Sequence, residues 1–300
     1  MNDRSHKVLP MPVTTLQLED RLTHLTLAPG IGGSIVNWTV KASGQPLLRH
    51  SDQAALLAGT PRRLGCYPLA PWSNRIAKGG FDTPHGWLAL EANADNSPLP
   101  IHGSAWQQAW QVVEHSAHEA LLRLDSQVPF AYQAEQRVHL HDGRLHIQLR
   151  VTHKAESANW HGLGLHPYFP RTPHTRLQAH AEAVWHCDDD RLPTHLSELP
   201  EHWDLRQTRA LPDVATDNAF SGWDGRASIV QADAGYRLDI EASGCDFYLL
   251  FCPKDMAFFC FEPVSHPVNA HHLPGRPGLE LLHKDQSLQL DFSLRYSALT

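Results

Sequence analysis

No apolar run in this 300-residue chain approaches the roughly 18 residues that a helix needs to cross a bilayer, which excludes a helical membrane span. Cysteine is sparse: Cys66, Cys187, Cys245, Cys252 and Cys260 are odd in number, scattered and without a C-x-x-C pair. That suits a reduced cytoplasm better than a disulfide framework or a zinc site. Basic blocks are missing as well. With 25 Lys and Arg against 32 Asp and Glu, a net charge of -7 offers neither a nucleic-acid footprint nor a cationic face for a membrane surface. The polar start Met1–Lys7 leads into no apolar h-region, so no signal peptide is expected. Long 3.6-residue periods are absent too, which excludes a helical bundle. Also lacking are H-E-x-x-H, G-x-S-x-G, a dinucleotide fingerprint, a phosphate-cradling glycine loop and any internal repeat.

Short alternating runs fill the chain instead. Leu16 and Leu18, then Leu25 and Leu27, flank the turn residues Glu19–Asp20–Arg21, and Ile35–Val40 follows as a third strand. Val138–Val151 reads as a hairpin about Asp142–Gly143, the strongest short-range signal of its kind. Leu121–Leu124, Ala227–Val230, Leu238–Ile240, Phe247–Phe251 and Leu288–Leu294 add strands. Ser51–Gly59 is one of the few helical signals. The expected fold is all-β, a large antiparallel β-sandwich with very few short helices, and residues 1–300 are read as a single domain.

Candidate chemistry concentrates in a few stretches. Phe258–His266 places Glu262 inside an aromatic run that Pro263 and Pro267 end; an apolar surround raises a carboxyl pKa and suits a base, whereas a strand-end Glu simply faces solvent. Gly162–Phe169 sets His166 in a comparable frame. A carboxylate and an imidazole so held are a general base and acid in waiting. In Tyr67–Ile76 two prolines enforce an irregular loop that carries Asn74 and Arg75, donors suited to a polyhydroxylated ligand, although a surface arginine reads the same way. His102 sits beside Gly103, and Trp106 and Trp110 are assigned to the core. Thr216–Gly225 reads as turn-rich, with Asp217 and Asp224 either capping turns or, for Asp217, facing a ligand. Most of the 22 histidines read as solvent-facing, and His271–His272 lacks partners at ligand spacing, so no metal is expected.

Taken in order, Asn74–Arg75–Ile76, Leu99–Gly103, Gly162–Phe169, Asp217–Phe220 and Phe261–Glu262–Pro263 resemble the aldose 1-epimerase (galactose mutarotase) family across nearly the whole chain. The resemblance implies a β-supersandwich, a sugar in an open cleft and no cofactor. It implies Glu262 as general base, His166 as general acid, and Arg75, Asn74, His102 and Asp217 as the sugar-binding set. Ser104, where the best-known galactose mutarotases have a second glycine, and the proline-rich loop place the chain nearer a less characterised bacterial branch. A small-molecule sugar is the expected partner, with the chain a monomer or homodimer. Three rivals stay open. They are a non-catalytic carbohydrate-binding module, a glycoside hydrolase or lyase, of which the hydrolase needs a second carboxylate, and an epimerase of a phosphorylated sugar, for which Arg62 and Arg63 are the available cations.

Overall fold

The alternation of apolar and polar residues is carried out as strands nearly everywhere it occurs. The computed structural model describes residues 13–95 and 97–299; the start Met1–Lys7 and Asn96, within the polar loop Asn93–Ser97, lie outside the described residues. In the hairpin, Tyr132–His141 pairs with Arg144–His153, burying Val138, Leu140, Leu145, Ile147 and Leu149 while His139 and His146 fall between them on the opposite face. Asp142 and Gly143 take φ of 51° and 75°, the left-handed pair that a two-residue turn of this twist requires.

Two large antiparallel sheets form the sandwich. The nine-stranded sheet runs Arg209–Ala210, Thr175–Ala179, Arg226–Gln231, Tyr236–Ser243, Ser287–Ala298, Arg144–His153, Tyr132–His141, Glu119–Ser126 and Gln111–His115. The eight-stranded sheet runs Pro193–Glu198, Ala183–Cys187, Thr216–Ser221, Phe247–Cys252, Phe258–Val264, Gly164–Leu165 and Pro68–Leu69, with Tyr168–Pro170 also on Phe258–Val264. One core joins them: Leu238, Leu290 and Phe292 from the first sheet meet Phe220, Tyr248, Phe259 and Phe261 from the second. Smaller sheets flank them, among them the three-stranded Leu16–Glu19, Thr23–Ala28 and Ser34–Val40. The helix is short, Gln53–Leu57, with Asp52 as its cap, the carboxylate accepting from the Ala55 N–H at 2.7 Å.

Two expectations are corrected. Thr216–Ser221 is an interior strand rather than a turn, because pairing with Phe247–Cys252 on one side and Ala183–Cys187 on the other outweighs the weak local propensity of Asp-Asn. The turn is confined to the segment after it, where Asp224 accepts from the Arg226 N–H at 3.0 Å. Pro263 does not end its strand, which continues to Val264. Most of the described histidines do lie outside the core; His102, His153, His161, His166, His266 and His271 are the buried ones.

Several of those histidines share one region, with the rings of His266 and His271 6.1 Å apart and those of His153 and His161 5.1 Å apart. His266 is bonded on both sides, accepting from the Ser73 N–H at 3.0 Å and donating to the Pro267 carbonyl at 2.8 Å. His271 has no partner on either ring nitrogen and packs on Phe81, centroids 4.1 Å apart. Burial pushes all of these imidazoles down, His161 to about 3 and His266 to about 4. The unfolded chain, with histidines near 6.5, therefore binds more protons below that pH, so stability is retained above about pH 6.5 and lost as the pH falls toward 4. His161 and His266 each cost about 1.5 kcal/mol between pH 6.5 and 5. Urea unfolding at pH 7 and pH 5 is expected to show this loss, and His271→Phe, which removes an unpartnered buried polar ring, is expected to shrink it; an unchanged pH slope in the variant contradicts the assignment.

Candidate active site

The site begins with an interruption in a sheet. Gly164 pairs with Val264, and Tyr168 pairs with Cys260, on the same strand. Extending that register across the gap sets His166 opposite Glu262. The backbone ladder is broken there, which is also where a strand can carry Pro263 without losing a needed N–H. His166 turns aside instead, its N–H donating to the Tyr67 carbonyl at 2.9 Å.

Glu262 is 1% exposed, which disposes of the solvent-facing reading. His166 Nε2 and Glu262 Oε1 stand 3.3 Å apart. Glu262 Oε2 and His166 Nδ1 are buried with no protein partner. Desolvation pushes the Glu262 carboxyl well above the usual carboxylate range, and nearby Asp217 pushes the same way. It pushes His166 down to about 3, with Arg49 and Arg62 adding to the effect. Both groups are thus held toward their neutral forms, and the pair carries one proton.

The imidazole packs against two rings, Tyr67 at 4.7 Å and Tyr168 at 4.6 Å between centroids, which are themselves 6.2 Å apart. Tyr168 in turn lies under the Arg49 guanidinium at 3.7 Å, whose Nη2 donates to the carbonyls of Arg62 and Leu64 at 2.7 Å each. These ring contacts fix the plane of His166 relative to Glu262.

The other predicted residues meet the pair from two loops. Asn74 and His102 both adopt left-handed backbone, φ 59° and 64°. The Asn74 N–H donates to His102 Nδ1 and the His102 N–H to the Asn74 carbonyl, each at 3.0 Å. Accepting at Nδ1 leaves the proton of neutral His102 on Nε2, and burial keeps that imidazole neutral. Gly103 must be glycine: its φ is +63° and a Cβ would stand 2.3 Å from the Ala70 carbonyl oxygen. Asn74 Oδ1 accepts from Arg75 Nη1 at 3.1 Å, and Arg75 Nη1 reaches Asp217 Oδ2 at 3.5 Å. Asp217 is buried enough for desolvation to raise its pKa against the pull of Arg75. All six predicted residues therefore line one open cleft on the outer face of the eight-stranded sheet.

Sequence reasoning missed the contact of Tyr67 with His166, and it missed Cys260. The i, i+2 spacing from Glu262 on a strand was the available signal for the cysteine. His166, Cys260 and Glu262 place their ligand atoms within 4.8 Å of one another, and this is the one such group among the described residues. Burial pushes the Cys260 thiol far up, so any cation there would have to displace its proton.

The aldose 1-epimerase family model matches residues 15–295. The chain belongs to the aldose 1-epimerase family. Members of that family are isomerases. The chain is 33% identical over 260 residues to the uncharacterized protein YphB of Escherichia coli K12, covering 83% of this chain and 88% of that protein. A crystal structure from Escherichia coli K12, provisionally named an aldose 1-epimerase, superposes with a TM-score of 0.89 at 30% identity, covering 95% of this chain and 99% of that one. Galactose 1-epimerase of Lactobacillus acidophilus shares the fold, with a TM-score of 0.80, 16% identity and 95% coverage of each chain.

Gly103→Ala is expected to cost at least about 1–3 kcal/mol in denaturant unfolding, since a Cβ strains both the backbone and the contact with Ala70. A variant of wild-type stability would contradict this account of the His102 loop.

Proposed function

We propose that the protein interconverts the α and β anomers of an aldohexose such as galactose or glucose. The observation that carries this reading is the buried Glu262–His166 pair, 3.3 Å apart at the floor of an open polar cleft, with Oε2 of one and Nδ1 of the other unpartnered. Glu262 is the general base and His166 the general acid. Anomer exchange takes the proton from the O1 hydroxyl and delivers one to the ring O5, so that the C1–O5 bond breaks and C1 becomes an aldehyde carbon. Rotation about C1–C2 and the reverse transfers close the ring on the other face.

The electrostatics fit this cycle. Opening starts from the tautomer in which the pair's single proton sits on His166, and it converts that carboxylate and imidazolium into a carboxylic acid and a neutral imidazole. Burial favours that neutral pair, so desolvation helps drive the opening, while closure restores the starting state. Arg75, Asn74, His102 and Asp217 hold the ring hydroxyls so that O1 faces Glu262 and O5 faces His166. His102 offers an Nε2–H donor, and Asp217 an acceptor steadied by Arg75. The mechanism calls on no cofactor.

One observation favours a second reading. Arg62 lines the same cleft, its guanidinium 5.1 Å over the Trp106 ring, and a guanidinium there suits the phosphate of a phosphorylated aldose.

Polarimetry on freshly dissolved α-D-glucose, α-D-galactose and their 6-phosphates tests both. Glu262→Gln is expected to slow relaxation by about 10²–10⁴-fold with the fold retained. A fully active Gln variant overturns the assignment, and acceleration confined to the phosphates selects the second reading. The acid limb of kcat/KM is expected well below 6.5, because His166 is pushed down and the pair keeps its single proton as the pH falls. A limb at the ordinary histidine value near 6.5 would contradict that proton inventory.

A further inference from the structure

The molecule has a larger concavity than the cleft just described. It is a basin of about 700 Å³ on the outer face of the nine-stranded sheet, on the other side of the shared core. Direct cross-strand partners form its floor: Gln178, Ser228, Asp239, Arg295 and Arg144 lie in one lateral row over five strands. In a chain of net charge -7, five arginines line this basin: Arg144, Arg206, Arg226, Arg237 and Arg295.

The nearby carboxylates are committed. Glu241 stands opposite Arg226 in register, yet it pairs with Arg144 at 3.2 Å. Asp239 stands opposite Arg295, yet it pairs with Arg237 at 2.7 Å. Arg206 pairs with Asp204 at 2.6 Å, and Asp224 accepts from its own turn. Among the described residues, no carboxylate lies within ion-pair distance of the Arg226 or Arg295 guanidinium. Arg295 moreover faces Arg144 directly across the strands, a like-charge pairing that is destabilising without a counter-charge.

A second, independent observation lies beneath them. Ser228 is 4% exposed, lines the basin, and its hydroxyl has no hydrogen-bond partner. Buried hydroxyls are nearly always satisfied, so an orphan two residues along the strand from Arg226 and in the lateral row of Arg295 marks the place of a missing acceptor.

We propose that this basin binds a small oxyanion, the phosphate, sulfate or carboxylate group of a ligand, through Arg226 and Arg295 with the Ser228 hydroxyl donating from the floor. Guanidinium forks match the oxygens of such groups, and the charge-assisted bonds they make are the strong ones. Free phosphate and a sugar phosphate present the same oxyanion, and their relative affinity distinguishes the two sources.

The test follows the arginine Hε–Nε signals of the full chain by NMR during titration with sodium phosphate, sodium sulfate and glucose 6-phosphate. Saturable shifts of Arg226 and Arg295 are expected, and they persist in Glu262→Gln, which separates this basin from the sugar cleft. Tighter response to glucose 6-phosphate than to phosphate identifies an esterified ligand, and equal response identifies the free anion. Arg226→Ala and Arg295→Ala are each expected to weaken binding about tenfold or more while anomer exchange continues. Ser228→Ala is expected to weaken binding severalfold without lowering the stability of the unliganded protein. Signals that do not move into the millimolar range overturn the proposal, as do arginine variants that bind as wild type. So does a Ser228→Ala variant that loses stability and keeps its affinity.

Discussion

The structure turns on a break in one β-ladder. Where Gly164–Leu165 and Tyr168–Pro170 both run against Phe258–Val264, the strand between them leaves the sheet for the length of His166. A continuous ladder would have paired that backbone and sent the imidazole wherever the pleat dictated. The gap instead lets His166 stand 3.3 Å from Glu262 while each keeps its backbone anchored in rigid sheet on either side. The remaining features of the cleft support this arrangement. Tyr67 and Tyr168 hold the ring plane, Arg49 holds Tyr168, and the loops of Asn74 and His102 close the polar rim.

That placement has an electrostatic consequence. Two ionisable groups excluded from water on a strand face each resist charge, so a carboxyl is raised and an imidazole lowered until the pair shares one proton. A pair in that condition is poised for chemistry in which one proton leaves an oxygen as another arrives on a second oxygen of the same molecule. The outer face of the other sheet shows the contrasting case: Arg226 and Arg295 are solvent-exposed and, among the described residues, have no carboxylate partner, so their proposed counter-charge comes from a ligand.

Much of this was legible in the chain, for physical reasons that can be named. The Asp142–Gly143 turn between alternating runs fixes a hairpin locally, and Phe258, Phe259 and Phe261 around Glu262 made a buried carboxyl one of two readings, between which its 1% exposure decides. What escaped depends on partners distant in sequence. Thr216–Ser221 is a strand only because two others flank it. The burial of His161, His266 and His271 follows from how flanking loops pack, which a period-two pattern does not encode. Cys260 joins Glu262 by pleat geometry alone, and Tyr67 reaches His166 across about a hundred residues of chain.

The central claim is that Glu262 is a carboxylic acid sharing its proton with His166 in the resting protein. Isotope-edited infrared difference spectroscopy, with wild type compared against Glu262→Gln at neutral pH, measures it directly. The account predicts the C=O stretch of a buried protonated carboxyl in the wild type, absent from the variant and persisting well above the ordinary glutamate pKa near 4.3. A Glu262 carboxylate that titrates near that ordinary value would contradict it.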